Sequence, residues 1–181
     1  MSNFDFFTQT DICSSIIRAE DLLNTGIFEE TNRGNPLFRS AFIELLILVN
    51  DLMHKCKGIN HKICFSEDIT PFTHPTSARK NVSDVFDAIK HCRDAMCHID
   101  ADQHMLTAEG VKATFNTCYG KGIILQVNST RLESKYDDDI AFQIGPQVLY
   151  MNRHIQRAFT DCKAILTPLL APMHQLRLSM R

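Results

Sequence analysis

The sequence predicts a mainly α protein, a helical bundle with one β-hairpin inserted before the last long helix. Three observations predict it. Apolar residues recur at helical spacing in several separate segments. A Gly-containing, β-branched stretch interrupts that pattern at about 119–144. The composition, 44% hydrophobic and 22% charged over 181 residues, is that of a single globular domain spanning 1–181.

In order along the chain, the first helix is expected to start after Thr10 or Asp11 and run to about Asn24. Ile12, Ile16, Ala19 and Leu23 form its stripe, and Gly26 supplies a stop. Asn32 to Pro36 is a loop. Leu37 to Lys55 is a strong helix. Its first stripe holds Phe38, Ala41, Phe42, Leu45, Leu48, Val49 and Leu52. Nearly opposite, at about 100° per residue, run Ile43, Ile47, Asn50 and His54, with Leu46 beside them. A helix apolar on two sides is either central or set against a second subunit. Lys57 to Lys80, with Gly58, Pro71 and Pro75, reads as a long irregular connection of the kind that often carries function. Asn81 or Ser83 caps the next helix, which reaches about Asp100 with Asp84 in its first turn. A short helix is expected over Thr107 to Asn116. Tyr119 to Val127 and Asp139 to Ile144 form the hairpin, at about 119–144, with Asp137-Asp138-Asp139 in its polar loop. Gly145-Pro146 ends it. The last helix, about 146–170, has the stripe Val148, Met151, Ile155, Phe159, Cys162, Ile165 and Leu169, frayed by Pro168 and Pro172.

The bulk properties exclude several classes. A net charge of -2 excludes a uniformly basic nucleic-acid coat, though not a basic patch. Seven cysteines, an odd number with no Cys-x-x-Cys pair, do not form a disulfide framework. They sit at apolar or helical positions and read as small core residues in a reducing cytoplasm. No secretory leader and no membrane-length apolar run are visible. His91, Cys92, Cys97 and His98 lack zinc-ligand spacing, so no metal and no cofactor is expected.

The chemistry concentrates in His91-Cys92-Arg93-Asp94-Ala95-Met96-Cys97-His98. Arg93 lies on the flank of an apolar stripe made by Val82, Val85, Phe86, Ile89, Cys92 and Met96, where an arginine must reach out or pair. An imidazole titrates near neutrality and moves protons at physiological pH. A guanidinium presents planar donors to phosphate oxygens and keeps its charge as negative charge builds. On an ideal helix, residues five apart point about 140° away from each other, so Arg93 and His98 share no face. A helix end near His98, the long Arg side chain, or a second copy would bring them together.

Arg93-Asp94-Ala95-Met96-Cys97-His98 resembles the motif of the HEPN family (higher eukaryotes and prokaryotes nucleotide-binding): arginine, a polar residue, then histidine after a short gap. Asp94 stands where Asn is commoner. The resemblance covers about 37–105, with 146–170 as a matching closing helix. It implies a HEPN-like bundle that forms a homodimer and acts as a metal-independent endoribonuclease on RNA. The 2′-OH would attack the adjacent phosphorus, leaving a 2′,3′-cyclic phosphate, so DNA would be inert. Arg93 would bind the scissile phosphate, His98 would be the base or hydroxyl orienter, and Asp94 would orient His98. Such proteins are often toxins or phage-defence effectors, sometimes held by an antitoxin or another regulatory protein. Asn50 and His54 are candidate polar support. Arg153 and Arg157, an i, i+4 ridge, are candidate RNA contacts. From Asn152 onward five basic residues face one acid, whereas Met1 to Asp51 holds three basic and eight acidic residues. The alternative is a non-catalytic dimerising module that binds RNA, a nucleotide or a protein.

Overall fold

The computed structural model describes residues 4–74, 77–98, 100–106 and 111–180. Its contacts group the chain into two compact units, Met1–Ile63 with Ala158–Arg181, and Cys64–Arg157.

The first unit is helical. α1 (Phe6–Asn24) begins about one and a half turns earlier than the periodicity indicates, because the Asp5 side chain caps it by accepting the Thr8 amide at 3.0 Å. Phe6 and Phe7 lie outside the buried stripe, so the hydrophobic pattern does not reveal that first turn. α2 (Phe38–Gly58) packs along α1. Ion pairs of Arg18 with Glu44 and of Lys55 with Asp11 (3.0 Å) flank the contact. The second face of α2 is only partly covered here: Leu46 and Asn50 are buried and Ile43 is half-buried, while Ile47 and His54 are exposed. α4 (Arg157–Leu166) buries Ala158, Phe159, Cys162 and Leu166. Pro172 does not fray a helix end. It occupies the first position of a further helix, α5 (Pro172–Ser179), where its missing N–H costs nothing.

The second unit overturns the expectation of a mainly α bundle with one inserted hairpin. The described residues are mixed α and β, 52% helical and 17% strand, with five strands in two antiparallel sheets beside five helices. α3 (Val85–Cys97) is its one long helix among the described residues. β1 (Asn116–Tyr119), β4 (Ile140–Ile144) and β5 (Gln147–Tyr150) form a sheet in the order β1-β4-β5. β2 (Gly122–Val127) and β3 (Thr130–Ser134) form a separate hairpin turned by Asn128, whose φ is 51°. The expected single hairpin is therefore replaced by three pairings in two sheets. β4 pairs with β1 and β5, and the polar stretch between the two expected strands supplies β3.

The expected helix over 146–170 is also replaced. Gly145-Pro146 turns β4 into β5, all four residues of β5 are buried, and a π-helical segment (Met151–Gln156) then leads into α4. A short strand buried throughout reads as a continuous apolar run, which periodicity does not separate from one helical turn. The expected short helix at 107–116 falls partly outside the described residues. Its described part holds the Met105–Lys112 bridge partner and the start of β1.

Gly145 is required where it stands. Its φ is +54°, and a Cβ there would overlap the Gln103 carbonyl oxygen. Its N–H donates to Ala113 O at 2.9 Å. The β4–β5 turn thus seats the segment that carries Asp102, Gln103 and His104.

Candidate functional site

α3 positions the site. Asp84 caps it by accepting the Asp87 amide at 3.0 Å, and the Asp87 carboxylate returns to the Ser83 hydroxyl at 2.7 Å. Val85, Phe86, Ala88, Ile89, His91, Cys92, Ala95 and Met96 are buried. The helix ends at Cys97. His98 follows in extended conformation (φ -129°, ψ 102°) with its N–H on Ala95 O. The helical phase that separates Arg93 from His98 therefore stops short of His98.

Beyond this end lies an open groove lined by Lys80, Asp94, His98, Asp100, Asp102 and Gln103. The structure brings Asp94 and His98 to one surface. His98 is exposed, and its ring has no hydrogen-bond partner among the described residues. Asp94 is held elsewhere: Arg93 Nη1 donates to Oδ1 at 2.8 Å and Lys90 Nζ to Oδ2 at 3.3 Å. Among the described residues no hydrogen bond joins Asp94 to His98. The Arg93 side chain is 30% exposed, its Nε is buried without a partner, and it does not line the groove.

Sequence reasoning did not select Lys80 and Asp102, and it left His74 unselected in the long loop. The Lys80 ammonium is hydrogen-bonded to Asp102 Oδ1, and His74 Nε2 lies 3.1 Å from Oδ2. The Lys80 hydrogen bond is the main reason the Asp102 carboxyl is held below its ordinary range. These residues are 22 and 28 positions from Asp102. No local spacing announces them; only the long 57–80 connection does.

Beneath the groove, His91 is 4% exposed and neither ring nitrogen has a partner within hydrogen-bonding distance. Burial pushes its pKa down, and the nearby carbonyls of Lys80 and Gln103 oppose that only in part. It borders an enclosed pocket of about 20 Å³, room for one water, shared with Lys80, Asp94 and Gln103. Phe72 meets both His91 and His74 edge to face, at 5.6 and 6.0 Å between ring centroids.

The remaining predicted residues lie outside this groove. Asn50 is buried on α2 and His54 is exposed four residues on, both in the other unit. Arg153 stacks 3.6 Å over the Tyr136 ring and binds Asp138 at 2.9 Å and Asp139 at 3.0 Å. Arg157 stacks 3.8 Å over Phe65 and pairs with Glu67. The Asp137–Asp139 run is more than a solvated loop. The Asp139 carboxylate is fully buried and accepts the Asn152 and Arg153 amides, capping the π-helical segment. Within that segment His154 is locked, accepting from the Tyr150 amide at Nδ1 and donating from Nε2 to Glu67 O.

The seven cysteines are unpaired as thiols; Cys13, Cys56, Cys92 and Cys162 are buried, while Cys64 and Cys97 are exposed. Burial pushes the Cys92 thiol up, as befits a core residue. Among the described residues no three His, Cys, Asp or Glu side chains converge enough to hold a metal ion, and no helix is long and apolar enough to cross a membrane. No family model, no curated protein and no solved structure matches the chain.

Proposed function

We propose that the groove at the end of α3 is the site of a metal-independent endoribonuclease. One observation carries the reading: the exposed His98 shares an open surface with Asp94 and Lys80, beside the Arg93 guanidinium. The reading rests on this local chemistry; the mixed α and β fold lends no support from a bundle resemblance. His98, unpartnered among the described residues, takes the 2′-OH proton of a bound RNA as that oxygen attacks phosphorus; the P–O5′ bond breaks, and the departing 5′-oxygen takes its proton from solvent water to leave as a 5′-hydroxyl. Lys90 and Arg93 share the single carboxylate of Asp94, which offsets that acid's repulsion of a phosphate. Arg93 engages one of its five donors in that pair and keeps others for a phosphate oxygen. Lys80 lines the groove as a further cation, held by Asp102.

The test is cleavage of total tRNA and of a matched DNA strand with EDTA present. Wild type is compared with Arg93→Ala and His98→Ala. RNA alone is expected to be cut, leaving 2′,3′-cyclic phosphate. Removing the proton-transfer group lowers the rate about 10²–10⁴-fold. Folded wild type that leaves RNA intact, or His98→Ala that cuts as fast, overturns the reading. A binding module is the second reading, favoured by the neutralisation of Lys80 by Asp102 and of Asp94 by two cations. It predicts salt-dependent RNA affinity that His98→Ala leaves unchanged.

A further inference from the structure

We propose that Cys56 and Cys162 are a modification site: in the presence of a peroxide they join as a reversible disulfide that closes the first unit on itself. Cys56 lies in the last turn of α2 and Cys162 midway along α4, and both are fully buried. Cys56 Sγ stands 4.0 Å from the Cys162 carbonyl oxygen. The Cys162 thiol also hydrogen-bonds the Cys56 sulfur, so the two sulfurs are in contact. The other cysteines are placed differently. Cys13 and Cys118 meet backbone oxygens, at 3.9 and 3.6 Å, and Cys64 and Cys97 are exposed.

Position in the chain gives the cross-link its effect. The first unit is built from two stretches, Met1–Ile63 and Ala158–Arg181, with all of Cys64–Arg157 between them. Holding two such stretches together costs the closure entropy of the chain between. Cys56 and Cys162, 106 positions apart, stand shortly before and shortly after that inserted chain. A bond between them makes the closure covalent and removes its entropy from the unfolding equilibrium. In a reducing compartment the pair rests as two thiols and closes only when oxidant rises.

The contact also assigns the order of events. Donation from Cys162 favours the Cys56 thiolate and pushes the Cys56 pKa down, while the Cys162 thiol is pushed up. Cys56 is therefore the attacking sulfur. Its thiolate attacks one oxygen of hydrogen peroxide, the O–O bond breaks, and the departing hydroxide takes the proton that the Cys56 thiol gave up, leaving as water. The Cys162 sulfur then attacks the Cys56 sulfenic sulfur. The S–O bond breaks, and that oxygen leaves as a second water with the Cys162 proton. Two thiols lose two electrons and the peroxide gains them. Access comes from the helix end: Cys56 is in the last turn of α2, and helix ends open more readily than the core.

The test uses the full chain carrying Cys64→Ser and Cys97→Ser, which removes the exposed thiols. Folded protein is treated with hydrogen peroxide, alkylated in denaturant, digested and mapped by mass spectrometry. A linked Cys56–Cys162 peptide pair is expected, and dithiothreitol should separate it. The oxidised chain is expected to melt about 5–15 °C higher than the reduced one. The same chain with Cys162→Ala should form no link and gain nothing from peroxide. Recovery of Cys56 and Cys162 as alkylated free thiols after prolonged treatment overturns the proposal, as does a link from either to Cys13, Cys92 or Cys118. A Cys56–Cys162 link that leaves the melting temperature unchanged overturns the closure of the first unit. The mapping is made on a chain that keeps both buried cysteines, so it holds even where Cys162→Ala fails to fold.

Discussion

Two glycines with positive φ separate two kinds of cost. Gly120 (φ +73°) has its nearest neighbour, Asp137 O, 3.4 Å from where a Cβ would sit, so alanine there meets strain alone, about 1 kcal/mol. Gly145 adds an overlap with the Gln103 backbone, which no side-chain rotation relieves. Gly145→Ala is expected to cost about 2–4 kcal/mol, against about 1 for Gly120→Ala, in urea unfolding. Equal losses would show that the Gln103 segment yields freely. Gln103 lines both the groove and the pocket beside His91, so a shift there moves the wall holding Asp102.

At the level of the element, α3 depends on its first turn. Ser83, Asp84 and Asp87 satisfy its free amides reciprocally, and Asp84 is 7% exposed. Asp84→Ala is expected to cost about 1 kcal/mol and to speed amide exchange first in Val85–Ala88. Unchanged exchange there would mean that packing alone holds the turn. The same helix shows what the sequence made legible. Its apolar stripe and its Arg93–His98 segment were readable because both are local. The spacing puts the cap at Asn81 or Ser83 with Asp84 in the first turn, because all three are good caps; the Asp87 amide on the Asp84 carboxylate makes Asp84 the cap. β5 was not legible at all. Gln147–Tyr150 buries every residue, and Met151 and Ile155 continue its apolar run at helical spacing, so strand and helix merge into one stripe. Lys80, Asp102 and His74 were illegible for another reason: they meet through folding across 22 and 28 residues.

The whole molecule should lose stability on acidification in two stages. His91 and His154 are 4% and 1% exposed, and burial depresses both pKa values below the ordinary 6.5. Below about pH 6.5 the unfolded chain takes up protons that the folded chain refuses, so stability falls as pH falls, until each folded pKa is reached. Each unit of depression is worth about 1.4 kcal/mol when fully expressed. A second stage comes lower. The Tyr136 hydroxyl on Asp68 and the Lys80 ammonium on Asp102 hold both carboxyls below 3.8, so the unfolded state protonates first there as well. The urea midpoint is therefore expected to be flat above about pH 7.5, to fall as pH drops below about 6.5, and to fall further below about 4. His91→Gln removes the titrating group beside the groove and should take part of the first slope with it, leaving the second unchanged. A midpoint equal at pH 7.5 and 5.5 would mean that water reaches both imidazoles in the folded state, because only an imidazole kept from water resists its proton.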